Sequence, residues 1–220
     1  MTSTRAVIFD LDDTLIRSKI DYKRMKSSII KFLVGVGVES SLLSEDMLNS
    51  ELLRVAIKDL RKKGASERAI RNVIEEVNAI MNGFELESLD NVELMEGTLE
   101  VLDSLKKHGV KIGIITNGCK NYAVSIVRKF SLDKYVDAIV ARDEVSNPKP
   151  DPKHLLIMLD VLGVSAEEAI FVGDHWIDAL CARDAGVRFI LLKNERWQSK
   201  NVNGMRSEII GDLRNLLNLL

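Results

Sequence analysis

The chain has little cysteine, almost no net charge and no long oily run, and each absence removes a class of function. Only two cysteines occur in 220 residues, Cys119 and Cys181, far apart and in no CxxC pair. That argues against a disulfide scaffold or a cysteine zinc site and fits free thiols in a reducing compartment. The formal net charge is −2, so no broad basic field exists for nucleic acid, and none is expected as a partner. No stretch of about 18 apolar residues appears, so no membrane span is expected. The first apolar run breaks at Asp10, too soon for the core of a leader peptide. The expected location is cytoplasmic. Internal repeats and low-complexity linkers are also missing.

What is present is a globular composition, 46% hydrophobic and 29% charged, with enough apolar material for a core. The length suits one large domain, or one domain carrying an insertion. The first informative stretch is VIFDLDDTL, Val7 to Leu15, where Asp10, Asp12 and Asp13 follow three oily residues. Like charges about 4 Å apart repel by roughly 1 kcal/mol in water and about 4 kcal/mol at an effective dielectric near 20. A metal ion is the first candidate to offset that repulsion.

Val7–Phe9 is too short and too β-branched for a helix and is expected to be a buried strand. From about Ser18 to Ser88 the pattern changes to helical spacing, over residues 22–35, 45–63 and 66–82. Ser44 and Ser66 are the expected N-caps of the second and third helices, and Gly64 the stop between them. After Gly97 helices and strands alternate. Helices are expected at 98–108, 119–130, 152–162 and 176–185, and strands at 111–116, 136–141, 169–174 and 188–192. The tail from about Ser207 to Leu220 has amphipathic helical spacing. Alternation of this kind implies a parallel sheet covered on both faces. The fold class is therefore α/β, a Rossmann-like doubly wound sheet with an inserted α-helical module. The expected domains are residues 1–16 with 92–220 for the core and 17–91 for the insertion. An all-helical insertion after the first strand is expected to form a lid near the C-terminal strand ends, where such sheets bind ligands.

Four polar clusters follow the strands: Asp10, Asp12 and Thr14; Thr116 and Asn117; Lys149 in NPKPDP; and Asp174 with Asp178 in GDHWID. Parallel strands bring their C-terminal ends to one edge, so these groups can converge. Carboxylates suit a hard cation such as Mg²⁺, a threonine hydroxyl and a lysine suit phosphate, and a carboxylate can attack phosphorus. Each cluster alone has a plainer explanation: turn aspartates, a threonine cap, a solvated loop lysine. Those explanations weaken when four clusters occur in order, each after an expected strand. Asp13 itself is expected only to tolerate a turn, Cys119 to be inert and His175 to be structural. Arg17, Lys19, Lys23 and Arg24 form a basic cluster expected to be a solvated face, the sharper alternative being that it reads an anionic end of a substrate.

The four clusters resemble the motifs of the haloacid dehalogenase superfamily, in its phosphatase branch with a helical cap, of the phosphoglycolate phosphatase type. DxDxT is Asp10, Asp12 and Thr14; the second motif is Thr116, the third Lys149, and GDxxxD carries Asp174 and Asp178. The resemblance implies a Mg²⁺-dependent phosphatase acting on a small phosphorylated metabolite through an aspartyl-phosphate. It implies Asp10 as nucleophile and Asp12 as general acid and base. Thr116, Lys149 and backbone near Leu11 and Asn117 would hold phosphoryl oxygens. Asp10, Asp12, Asp174 and Asp178 would form the metal site, Asp12 other than through its side chain. A phosphomutase on the same scaffold is the alternative. Asp12 argues against dehalogenation, because a halide leaving group needs no proton. A phospho-receiver domain, from a different class, is disfavoured by the large insertion and the late GDxxxD. The oligomeric state is unread, with a homodimer left open.

Overall fold

The computed structural model describes residues 4–193 and 208–220, and the chain divides into two compact units, Met1–Ser18 with Asn91–Leu220, and Lys19–Asp90. The first unit is built on six parallel strands: β1 (Ala6–Phe9), β4 (Lys111–Ile115), β5 (Ala138–Val140), β6 (Ala169–Gly173), β7 (Arg188–Leu192) and β8 (Glu208–Ile210). Their order is β5-β4-β1-β6-β7-β8, with Phe9 paired to Ile114 on one side and Val172 on the other. The chain steps outward from β1 through β4 to β5, then returns to the other side of β1 through β6. The C-terminal ends of β1, β4 and β6 therefore flank the point where strand order reverses, the place where such sheets bind ligands. The fold class expected from the sequence is the one found.

All four residues of β1 and all five of β6 are buried. Both faces of a central parallel strand are covered, so it shows a continuous apolar run in place of alternation. Helices α4 (Thr98–Lys107), α5 (Lys120–Lys129), α6 (Lys153–Leu162) and α7 (Trp176–Ala185) supply the cover. On one side Ile8, Phe171 and Ile115 pack with Leu155, Met158 and Ala182, and the Phe171 and Phe189 rings lie 5.8 Å apart. Burying each of the larger side chains contributes about 1.5–3 kcal/mol. A two-stranded antiparallel ribbon, β2 (Ile16–Arg17) with β3 (Glu93–Leu94), was not expected from so few residues.

The tail departs from expectation. Glu208–Ile210 adds to the edge of β7, with Leu191 opposite Ile209, and Leu213–Asn218 is a 3₁₀ helix. Ser207 lies outside the described residues. The edge of β7 offers backbone partners that a helix could not use, and Gly211 and Asp212 then turn the chain, the Asp212 carboxylate accepting from the Arg214 N–H. Leu213 and Leu216 are buried at a spacing of three, which a 3₁₀ helix satisfies as well as an α-helix.

The second unit contains α1 (Tyr22–Gly35), α2 (Asn49–Lys62) and α3 (Glu67–Glu87). Their buried stripes include Met25, Ile29 and Leu33; Leu52, Ala56 and Leu60; and Ile70, Val73 and Val77. Ser66 caps α3 by accepting from the Ala69 N–H at 3.2 Å, and Gly64 stands at φ 82° after α2. Ser44 does not cap α2. Its hydroxyl accepts from Asp46 in a preceding turn, and the helix starts at Asn49, where Glu51 reaches back to the Leu48 N–H at 2.9 Å. Arg24 is engaged inside this unit, donating to Glu87 at 3.4 Å and lying over the Phe84 ring. Among the described residues no helix is long and apolar enough to cross a membrane.

Candidate active site

Asp10 is the first residue beyond β1, and its N–H donates to the Val172 carbonyl at 2.9 Å. The chain then closes a tight turn in which the Leu11 carbonyl accepts from Leu15 and Ile16. Asp13 sits in that turn at φ 58° and accepts from the Ser18 N–H at 3.0 Å. A short polar side chain tolerates the left-handed region, which accounts for an acid here without a chemical role. The turn carries Asp12 and buried Thr14 with it. The Thr14 hydroxyl lies 3.5 Å from Asp10 and 3.4 Å from Asp174, both long contacts.

Thr116 follows β4. Its hydroxyl accepts from the Gly118 N–H at 2.9 Å and reaches Asp12 Oδ2 at 3.4 Å. The helix cap itself is Cys119, so Thr116 is not a simple cap. The Asn117 side-chain amide donates to the Lys149 carbonyl at 2.9 Å and ties the loop after β4 to the loop after β5. Lys149 is 2% exposed, and its ammonium donates to Asp10 at 2.5 Å and to Asp178 at 2.7 Å. Asp174 is the first residue beyond β6, and Asp178 lies in the first turn of α7, where its second oxygen accepts from the His175 N–H at 3.0 Å. Asp10, Asp174 and Asp178 each place a carboxylate oxygen within 4.8 Å of the other two. The Asp12 side chain is turned elsewhere: its Oδ1 accepts from the Tyr122 hydroxyl at 2.8 Å.

The electrostatics follow from this crowding. Burial, and then the neighbouring Asp178, Asp174 and Asp12, push the Asp10 carboxyl well above the ordinary range against the pull of Lys149. Lys149 loses hydration by burial, yet Asp10 and Asp178 hold its ammonium above the ordinary lysine range. Three carboxylates and one ammonium leave a charge of about −2, which a divalent cation bound through oxygen matches.

Two side chains that the sequence did not single out complete the cluster. Tyr122 is fully buried, on the face of α5 that carries Ala123, Ile126 and Val127. His154 is fully buried, with Nδ1 3.3 Å from the Lys149 backbone N–H and Nε2 2.9 Å from the Val140 carbonyl. Burial, and then the charge of Lys149, push its pKa down to about 4, so the ring is neutral, accepting at Nδ1 and donating at Nε2. Both positions fall inside helices expected from the sequence, and nothing local distinguished a core ring from a polar partner. Of the residues considered and set aside, His175 caps α7 and lies beside the Trp176 ring. Cys119 and Cys181 are buried and in no disulfide, and burial pushes the Cys181 thiol up to about 12.

Comparison with known proteins agrees with this geometry. The family model described as haloacid dehalogenase-like hydrolase matches residues 7–192. Phosphoglycolate phosphatase 1 of Pseudomonas aeruginosa is 30% identical over 190 residues, covering 84% of this chain and 67% of the relative. Pyrophosphatase PpaX of Halalkalibacterium halodurans is 39% identical over 97 residues, covering 44% of this chain and 45% of the relative, so that match spans about half of each. A solved haloacid dehalogenase-superfamily hydrolase of Geobacter sulfurreducens, subfamily IA variant 1, superimposes with a TM-score of 0.64 at 27% identity, covering 99% of this chain and 100% of that one.

Proposed function

The chain belongs to the haloacid dehalogenase-like hydrolases, and from that premise we propose that it is a Mg²⁺-dependent phosphatase of small phosphomonoesters working through an aspartyl-phosphate on Asp10. One observation carries the reading. Asp10 is held by a buried lysine beside two further carboxylates, while Asp12, two residues on, has its side chain bonded away from that group. One acid is thereby held for attack and the other kept apart for proton transfer.

Asp10, Asp174 and Asp178 would hold Mg²⁺, with Asp12 contributing other than by its side chain. When bound, the ion supplies positive charge that keeps Asp10 ionised and screens the phosphoryl oxygens. An Asp10 oxygen forms a bond to phosphorus, and the bond from phosphorus to the ester oxygen breaks. That oxygen keeps the electron pair and takes the proton from the Asp12 carboxyl, leaving as the alcohol. Water then attacks phosphorus and gives a proton to the Asp12 carboxylate, and the electron pair returns to Asp10. Lys149, the Thr116 hydroxyl and the backbone N–H groups of Leu11 and Asn117 are the donors for the phosphoryl oxygens. The helical unit, residues 19–90, is the proposed cap and the source of substrate choice. The names of the relatives make 2-phosphoglycolate the first substrate to try, with sugar phosphates and pyrophosphate beside it.

The test is turnover and trapping. Sustained phosphate release from p-nitrophenyl phosphate with Mg²⁺ is expected, falling by about three orders of magnitude or more in Asp10→Asn. Acid quench during turnover of labelled substrate should leave a hydroxylamine-labile phosphate on the protein, absent from Asp10→Asn. Normal turnover by that variant, or no protein-bound phosphate at any quench time, rejects the mechanism.

A further inference from the structure

Resting on the phosphatase reading above, we propose that Tyr122 is a positioning residue for Asp12, setting the plane in which Asp12 delivers its proton to the leaving group. A phenol buried without a partner is costly, and the Tyr122 hydroxyl meets that requirement on Asp12 Oδ1 at 2.8 Å, across 110 residues of chain. The other Asp12 oxygen lies 3.4 Å from the Thr116 hydroxyl. A carboxylate rotates broadly about its last torsion, and one short bond to a ring locked in a core removes that freedom. The ring is locked: Tyr122 is fully buried on α5 and passes against the turn after β4. Gly118 makes the room, since a Cβ there would stand 2.9 Å from the Tyr122 Cδ1.

The chemistry of the hydroxyl suits both halves of the reaction. It donates to Oδ1 both when Asp12 is a carboxylate and when Asp12 is an acid protonated on its other oxygen, so the contact survives the transfer and leaves that other oxygen to carry the proton. A proton donor held about an ångström out of place loses much of its advantage. The demand for that donor grows with the basicity of the leaving oxygen: nitrophenolate leaves readily without a proton, phenolate far less so.

The experiment is a series of ring-substituted phenyl phosphates of nearly constant shape, from p-nitrophenyl to phenyl, assayed as kcat/KM in wild type and Tyr122→Phe. The variant deletes one oxygen and keeps the ring against Gly118, and thermal unfolding checks that it folds. Relative to wild type, phenyl phosphate should lose about 10-fold while p-nitrophenyl phosphate stays within about twofold, a fraction of the whole effect of a general acid. In an Asp12→Asn background the same change should add less than about twofold, because the group it positions is gone. An equal loss along the series, no loss, or full additivity with Asp12→Asn overturns the assignment. Asp10→Asn is assayed alongside: if it keeps wild-type activity, the phosphatase mechanism itself is rejected, a failure separate from a flat Tyr122→Phe series.

Discussion

Lys149 is buried and aimed at two carboxylates, and His154 and Asn117 both hold its backbone, the first accepting from its N–H and the second donating to its carbonyl. That histidine is neutral in the fold, its pKa pushed down to about 4 by burial and then by the lysine's charge. In the unfolded chain it takes its proton near pH 6.5. Between these values the unfolded state binds a proton that the folded state does not, so stability falls as pH drops from about 6.5 to about 4 and is level below that. The full loss is about 3 kcal/mol. His154→Gln offers an amide in place of the ring and has nothing to titrate. Denaturant unfolding of both proteins at pH 7 and pH 4.5 should show the difference between them moving by roughly 2–3 kcal/mol in favour of the variant. A difference that does not change with pH would mean that His154 is not held neutral.

At the scale of elements, the turn from β6 into α7 shows why a glycine precedes the motif aspartate. A Cβ on Gly173 would stand 2.7 Å from the Cβ, Cγ and Oδ2 atoms of Asp178. The first turn of α7 therefore lies against the end of β6, and that approach carries the Asp178 carboxylate to Lys149 at 2.7 Å. Gly173→Ala must displace Asp178 or the strand end. Overpacking of this kind costs about 1–3 kcal/mol. We expect a lower unfolding midpoint and a higher Mg²⁺ concentration for half-maximal phosphate release. Unchanged values for both would show that the turn yields without disturbing Asp178. By contrast β8 follows no local signal, because Glu208–Ile210 becomes a strand only where the edge of β7 presents its backbone.

At the scale of the whole molecule, the proposed cation site joins Asp10, Asp174 and Asp178, which the unfolded chain leaves scattered and unable to bind a cation in the same way. Mg²⁺ should therefore stabilise the fold. At 100 times its dissociation constant the gain is about 2.7 kcal/mol, a rise of roughly 5–10 °C in unfolding midpoint for a chain of this size. Chelation should reverse it, and Asp174→Asn should weaken it. A midpoint indifferent to Mg²⁺ and to chelator would argue against a cation among these three aspartates.

The alternation of strands and helices from residue 98 to residue 192, the helical insertion before it and the polar groups that follow the strands were legible from the sequence alone. Each depends on neighbours within one run: oily β-branched strands, helical spacing, a polar residue where a strand stops. Thr116, Lys149, Asp174 and Asp178 could be picked out for that reason, and so could Asp10 and Asp12. Tertiary structure alone decided which groups touch. Tyr122 meets Asp12, His154 meets the Lys149 backbone, Gly173 makes room for Asp178, and the tail pairs with β7 where helical spacing pointed to a helix. A side chain's burial follows from its local pattern, but its partner is set by how distant segments pack, and a hydrogen bond across 110 residues leaves no periodic trace in the chain.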